Sequence, residues 1–192
     1  TIAFAYALKR HLRKERELPE LLELQVLTPQ QLLEMQRAHE MPLVALEQLS
    51  TTIKSAERAG LLSPVAAMTL DANLAQLGDD LAACERIVNT KMPIAYIIHL
   101  RTFMSVWLLV LPLVLLGSMG WLTIPISLVA SHALVGIEVI GVEIENPFGR
   151  DYNDLPLDTF TATISTSLLE LLERYRGGLR KEKRGEQKGF FL

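Results

Sequence analysis

From Pro19 to Lys54 leucine and other apolar residues recur at helical spacing, as in Leu21, Leu22 and Leu24 and again in Leu32, Leu33 and Met35. Thr28-Pro29 and Met41-Pro42 interrupt the pattern, because proline cannot donate a backbone hydrogen bond inside a helix. Several short amphipathic helices follow. Upstream, apolar Ile2 to Leu8 gives way to Lys9, Arg10, Arg13, Lys14 and Arg16, the pattern of a helix passing from an apolar setting into water. No cap or leader-like pattern precedes Ile2, so the chain is read as opening inside a helix of a longer protein. Gly60 and Ser63-Pro64 mark another boundary, with Ser63 as cap and Pro64 at the first helical position. The helix from Pro64 to Asn89 presents Leu70, Leu74, Leu77, Leu81 and Cys84 on one stripe, and no segment of this first half alternates as a strand would.

The second half is patterned differently. Thr102 to Met119 is a run of 18 residues without a formal charge, which as a helix would rise about 27 Å, close to the apolar thickness of a bilayer. A second run, Trp121 to Ile137, continues uncharged as far as Glu138. Together they predict a transmembrane helix hairpin over residues 97–143. The connection Gly117-Ser118-Met119-Gly120 holds no Lys or Arg, whereas Arg86, Lys91 and Arg101 precede the hairpin and Arg150, Arg174 and Arg176 follow it. By the distribution of basic residues both ends face the cytoplasm, and Trp107 and Trp121 are candidate interfacial anchors. Pro112 lies inside the first run, where a kink is tolerated if neighbours satisfy the freed carbonyl. Glu138 is costly in an apolar setting unless partnered, and Arg101 and His132 are the candidate partners. The competing reading is a hairpin buried in a soluble bundle.

These patterns define an all-α chain: a cytosolic helical segment (1–96), the transmembrane hairpin (97–143), an acidic loop with a cytosolic C-terminal helix (144–176) and a charged tail (177–192) expected to be unstructured. The last helix carries Ile164, Leu168, Leu171, Leu172 and Tyr175 at helical spacing.

Composition narrows the function. Of the residues, 49% are hydrophobic and 21% charged, so the two classes must segregate along the chain. A formal charge of -3 and no basic run interleaved with aromatics give no field for nucleic acid. A single cysteine, Cys84, excludes an intramolecular disulfide. Neither glycine-rich phosphate loop nor nucleophile elbow nor zinc-spaced Cys/His pair occurs, and His11, His39, His99 and His132 are scattered. No enzyme is expected.

Three stretches carry a family resemblance: Cys84-Glu85-Arg86-Ile87-Val88-Asn89-Thr90-Lys91-Met92-Pro93-Ile94-Ala95-Tyr96, His99-Leu100-Arg101-Thr102-Phe103, and above all Ile144-Glu145-Asn146-Pro147-Phe148-Gly149-Arg150-Asp151-Tyr152-Asn153-Asp154-Leu155-Pro156-Leu157. The last, an Asn-Pro-Phe-Gly turn followed by spaced carboxylates directly after an apolar helix, is the most specific. On these residues the chain resembles the bacterial branch of the bestrophin family, a bacterial bestrophin-like (UPF0187-type) membrane channel protein, of which it is the C-terminal portion.

The resemblance implies a subunit of a homo-oligomeric, pentameric ion channel in the bacterial inner membrane, its pore running through bilayer and cytosol. It passes small monovalent ions, chloride as the family is generally described. The helix that forms the family's membrane neck precedes this region. A second narrow point is implied at the apolar residue before a proline, here Met92, with Lys91 beside it biasing the field toward anions if it faces the lumen; Met92 as core filler and Lys91 as a solvated charge is the alternative. The resemblance also implies a calcium loop, with Asp151 and Asp154 at the carboxylate positions, Glu143 as a side-chain ligand and Asn146 as a carbonyl ligand. Here the acidic run is broken by Arg150, Tyr152 and Asn153. As an EF-hand it fails, since Pro156 stands where Gly is required and Ala162 where Glu is required. The alternative is that Asp151 or Asp154 caps a helix or pairs with Arg150. For the chain as a whole, a cation channel of the same family and a membrane-anchored helical scaffold are the remaining readings.

Overall fold

The computed structural model describes residues 1–189, and side chains as far as residue 177. Every regular element among them is helical. In chain order these are α1 (Ile2–Leu12), α2 (Pro19–Glu23), α3 (Pro29–Arg37), α4 (Met41–Arg58), α5 (Pro64–Asn89), α6 (Ile94–Met119), a 3-10 turn (Gly120–Leu122), α7 (Thr123–Glu143) and α8 (Leu157–Gly189). The chain forms two compact units, one from Thr1–Cys84 with the segment after Pro156, the other from Glu85–Leu155. The acidic loop therefore groups with the hairpin rather than with the last helix.

The breaks in the first unit follow local chemistry. Thr28 and Gln31 form a reciprocal capping box at the start of α3, with Pro29 at the first helical position. Ser63 Oγ accepts from the Ala66 amide at 3.2 Å and starts α5. The α4 helix ends in a Schellman motif: Gly60 adopts φ +69°, its N–H reaches the Glu57 carbonyl at 2.9 Å, and the Leu61 N–H reaches Ala56 at 3.0 Å.

Five helices share the core of this unit. Phe4, Tyr6 and Ala7 of α1 meet Leu21 of α2, Leu32 and Met35 of α3, Met41, Ala45 and Leu46 of α4, and Leu81 of α5. Burial of each large side chain contributes about 1.5–3 kcal/mol. Leu74 and Leu77 pack against this core along the expected α5 stripe.

Lys9 departs from the sequence pattern. It is 4% exposed rather than solvated at a helix exit. Its Nζ donates to Glu20 Oε1 at 2.9 Å and Asp158 Oδ1 at 3.0 Å, and lies 4.8 Å from the centroid of the Tyr6 ring. Arg10 donates to the same Glu20 oxygen at 2.6 Å and pairs with Glu15, and Arg13 donates to Asp158 Oδ2 at 2.8 Å. The basic stretch is thus a clamp joining α1, α2 and α8. Hydrogen bonds from Arg13 and then Lys9 hold the Asp158 carboxyl at about 2, below its usual 3.8. Burial pushes Glu20 up, but hydrogen bonds from Lys9 and Arg10 outweigh it and leave the group below its usual range.

The inward face of α8 also differs from the expected one. Thr161 and Ser165 are buried and Leu168 and Leu169 pack against the core, while Leu171, Leu172 and Tyr175 stay exposed. Ser165 Oγ meets Tyr6 Oη at 3.3 Å, so a polar contact with α1 sets the rotation of this helix. Backbone helix continues past Gly177 to Gly189, where an unstructured tail was expected. The run Leu-Arg-Lys-Glu-Lys-Arg is built from good helix formers. The remainder of that tail, 190–192, and all side chains after residue 177 lie outside the described residues.

In the second unit α6 and α7 pack as a hairpin across the 3-10 turn. At 26 and 21 residues they rise about 39 Å and 32 Å, enough to cross a bilayer's apolar layer. At the start of α7 Thr123 is buried, and the side-chain oxygens of Thr123 and Ser127, small residues of the kind that let membrane helices approach, are both shielded from solvent. Gly120 turns the chain with φ +55°. The helical stretch Pro64–Glu143 contains an 18-residue apolar window of which none is buried. The reading of a hairpin buried in a soluble bundle is therefore corrected: among the described residues Leu109, Leu113, Ile124 and Leu128 are exposed.

Candidate functional site

The two chain ends of the hairpin unit carry the chemistry. Between α5 and α6 the residues Thr90–Pro93 are non-helical, because Pro93 disfavours helical geometry at Met92 and caps α6 instead. Lys91 and Met92 are both exposed, Met92 at 42%. The Met92 N–H donates to Glu145 Oε1 at 3.3 Å, which ties this linker to the residue before the Asn-Pro-Phe-Gly turn.

That turn is internally bonded. Phe148 is buried at 5% exposure and anchors it. The Leu155 N–H donates to the Pro147 carbonyl at 2.9 Å, closing the loop. Asp154 Oδ2 accepts from the Asp151 N–H at 2.7 Å, while the Asp154 N–H donates to the Asp151 carbonyl at 3.0 Å. Gly149 makes room for that carboxylate: a Cβ there would stand 2.5 Å from Asp154 Oδ2 and 3.7 Å from Asn146 Nδ2. At the loop base Asn153 Nδ2 donates to Glu143 Oε1 at 3.2 Å.

Gly149→Ala is expected to drive the Asp154 carboxylate off the Asp151 amide and to destabilise the loop by about 1–2 kcal/mol. Faster amide exchange confined to 147–155 is the measurement that checks it.

The residues named for calcium are thus brought into one loop without forming a cage. Among the described residues, no three His, Cys, Asp or Glu side chains converge on a point that could hold a metal ion. Asp154 and Glu143 are turned onto the loop's own N–H donors, and Asp151 enters the turn through its backbone. A calcium site draws on backbone carbonyls and waters as well as carboxylates; in this loop the Asp154 and Glu143 carboxylates are engaged by the loop's own N–H groups.

Near the same end of the hairpin Arg101 Nε donates to Glu138 Oε1 at 2.6 Å. Of the two partners expected for Glu138, Arg101 is the one in contact. The Glu138 side chain is 16% exposed and that of Arg101 58%. Glu145 is the residue the sequence reading missed. Its only signal was its place within the Ile-Glu-Asn-Pro motif, since nothing in the spacing connects it to a residue 53 positions earlier.

An all-helical chain with an uncovered apolar hairpin and a paired charge at its foot has the build of a membrane protein. The bacterial/fungal bestrophin family matches residues 1–170, and the chain belongs to that family. A voltage-dependent anion channel-forming protein of Nostoc sp. is 35% identical over 170 residues, covering 88% of this chain and 55% of that protein. One of the same description from Synechocystis sp. is 42% identical over 95 residues, covering 50% of this chain and 31% of that protein. A crystal structure of a bacterial bestrophin homologue from Klebsiella pneumoniae superposes with TM-score 0.80 at 29% identity, covering 88% of this chain and 62% of that one. The chain therefore spans about half the length of the curated Nostoc relative. The family is one of ion channels rather than of enzymes.

Proposed function

We propose that this chain is the C-terminal portion of a subunit of a pentameric channel, passing small monovalent anions, chloride among them, across the bacterial inner membrane. The observation that carries the reading is the hairpin: two membrane-length helices whose apolar sides lack cover from their own chain require lipid or other copies as solvent. Anions are favoured because the matched relatives are named anion channel-forming proteins and because Lys91 stands exposed beside Met92. Both ends of the hairpin lie on the cytoplasmic side, in keeping with the placement of Arg86, Lys91, Arg101 and Arg150.

Met92 forms the cytosolic narrow point, where a ring of thioether side chains one residue before a proline would resist wetting. Planar-bilayer recording of the full-length protein under a salt gradient tests the reading. A reversal potential of the anionic sign is expected; the cationic sign would reverse the selectivity, and absence of current would leave a scaffold. Met92→Ala is expected to raise unitary conductance by on the order of two-fold, and an unchanged value would remove Met92 from the conduction path.

A further inference from the structure

We infer that Glu145 is a positioning residue for Met92, a strut through which the folded loop 144–155 sets where the Met92 side chain sits. The inference rests on the proposed role of Met92 for its functional consequence, but the strut itself is a matter of geometry. Met92 lies in the four-residue non-helical link Thr90–Pro93. On its C-terminal side Pro93 restricts it to extended backbone. On its N-terminal side the Thr90 N–H still bonds the Arg86 carbonyl at 2.9 Å, so helical bonding ends just before it. The Met92 N–H is then held by Glu145 Oε1 at 3.3 Å, a long bond to a charged acceptor.

Glu145 is in turn fixed from both sides. Its own N–H bonds the Val142 carbonyl at 3.2 Å at the end of α7, and Asn146-Pro147 follows it into the closed turn. That turn is locked by the Leu155 to Pro147 bond, the Asp151 to Asp154 bond and the Asn153 to Glu143 bond. A shift of the loop therefore has a short path to the link: loop backbone, Glu145 carboxylate, Met92 amide. The carboxylates in 143–154 then have a joint purpose. Of the four, Asp154 and Glu143 fold the loop onto itself, and Glu145 hands its position to the link.

The test uses the full-length channel with Cys84 replaced by Ala and three variants: Glu145→Ala, which removes the acceptor; Glu145→Gln, which retains an acceptor oxygen at the same reach; and Glu145→Ala combined with Met92→Ala. Two readouts are taken, unitary conductance and the line width of a nitroxide attached at position 92 in a parallel Met92→Cys series. Glu145→Ala is expected to change conductance by on the order of two-fold and to sharpen the nitroxide spectrum, with Glu145→Gln close to the parent in both. In the Met92→Ala background the Glu145 substitution is expected to add nothing, since its effect passes through that side chain.

The thermal midpoint of Glu145→Ala separates loss of the strut from a general loss of fold and is expected to stay within a few degrees of the parent. An unchanged nitroxide spectrum in Glu145→Ala would overturn the strut. Should the spectrum sharpen while Met92→Ala leaves conductance untouched, the strut stands and the proposed narrow point falls.

Discussion

Arg101→Leu is expected to destabilise the hairpin by about 2–4 kcal/mol, because it leaves the Glu138 carboxylate without a partner inside an apolar element. The bond concerned is the 2.6 Å contact from Arg101 Nε, and Glu138 is the more enclosed of the two side chains. The cost arises mainly from the orphaned carboxylate rather than from the attraction lost, since an ion pair in a low-dielectric setting roughly repays its own desolvation. Arg101→Leu combined with Glu138→Gln should therefore recover most of the loss. Thermal unfolding of the full-length protein in detergent reads this directly. Equal midpoints for Arg101→Leu and the parent would show that the pair carries no weight.

Lys9→Met is expected to cost less, about 1–2 kcal/mol, because Glu20 and Asp158 each lose one of two charged donors. With the ammonium gone, Glu20 keeps its bond from Arg10 and Asp158 its bond from Arg13, so the clamp is weakened rather than abolished. Its pH dependence has a defined sign. The Asp158 carboxyl is held at about 2 in the folded state against an ordinary 3.8, so it binds protons less readily when folded. Its contribution is complete above about pH 5 and is lost as pH falls through 3.8 toward 2. Because the Asp158 side chain is 67% exposed, that contribution is modest, under about 1 kcal/mol after solvent screening. Asp158→Asn should flatten the acid limb of a stability profile between pH 4 and pH 2; a limb of unchanged slope would count against the clamp.

Local chemistry was legible in the sequence wherever a residue acts on its own neighbours. Ser63 and Pro64 start α5, Gly60 stops α4, and Thr28-Pro29 opens α3, each through a bond to a residue within five positions. The uncharged runs were legible for the opposite reason, since length and composition alone fix what solvent they need. Long-range polar contacts were not legible. Lys9 follows seven apolar or small residues and looks like the first solvated position, yet Asp158 reaches it across 149 positions. The rotation of α8 was misread because Thr161 and Ser165 are polar by type, and only the presence of Tyr6 makes the Ser165 side a good one to bury. Within the loop, Gly149 and Asp154 were singled out for a family motif. Their shared purpose, a glycine making room for a carboxylate, is visible only from the distance between them.

The first compact unit is discontinuous in the chain, made of Thr1–Cys84 and the segment that begins at Pro156. A ribosome releases these parts in order, so α1 emerges with its α8 partner still unsynthesised. The hairpin leaves the exit tunnel before α8 does. Insertion of the apolar segment therefore has its window ahead of closure of the helical bundle, and Lys9 waits for Asp158 until the hairpin has found its solvent.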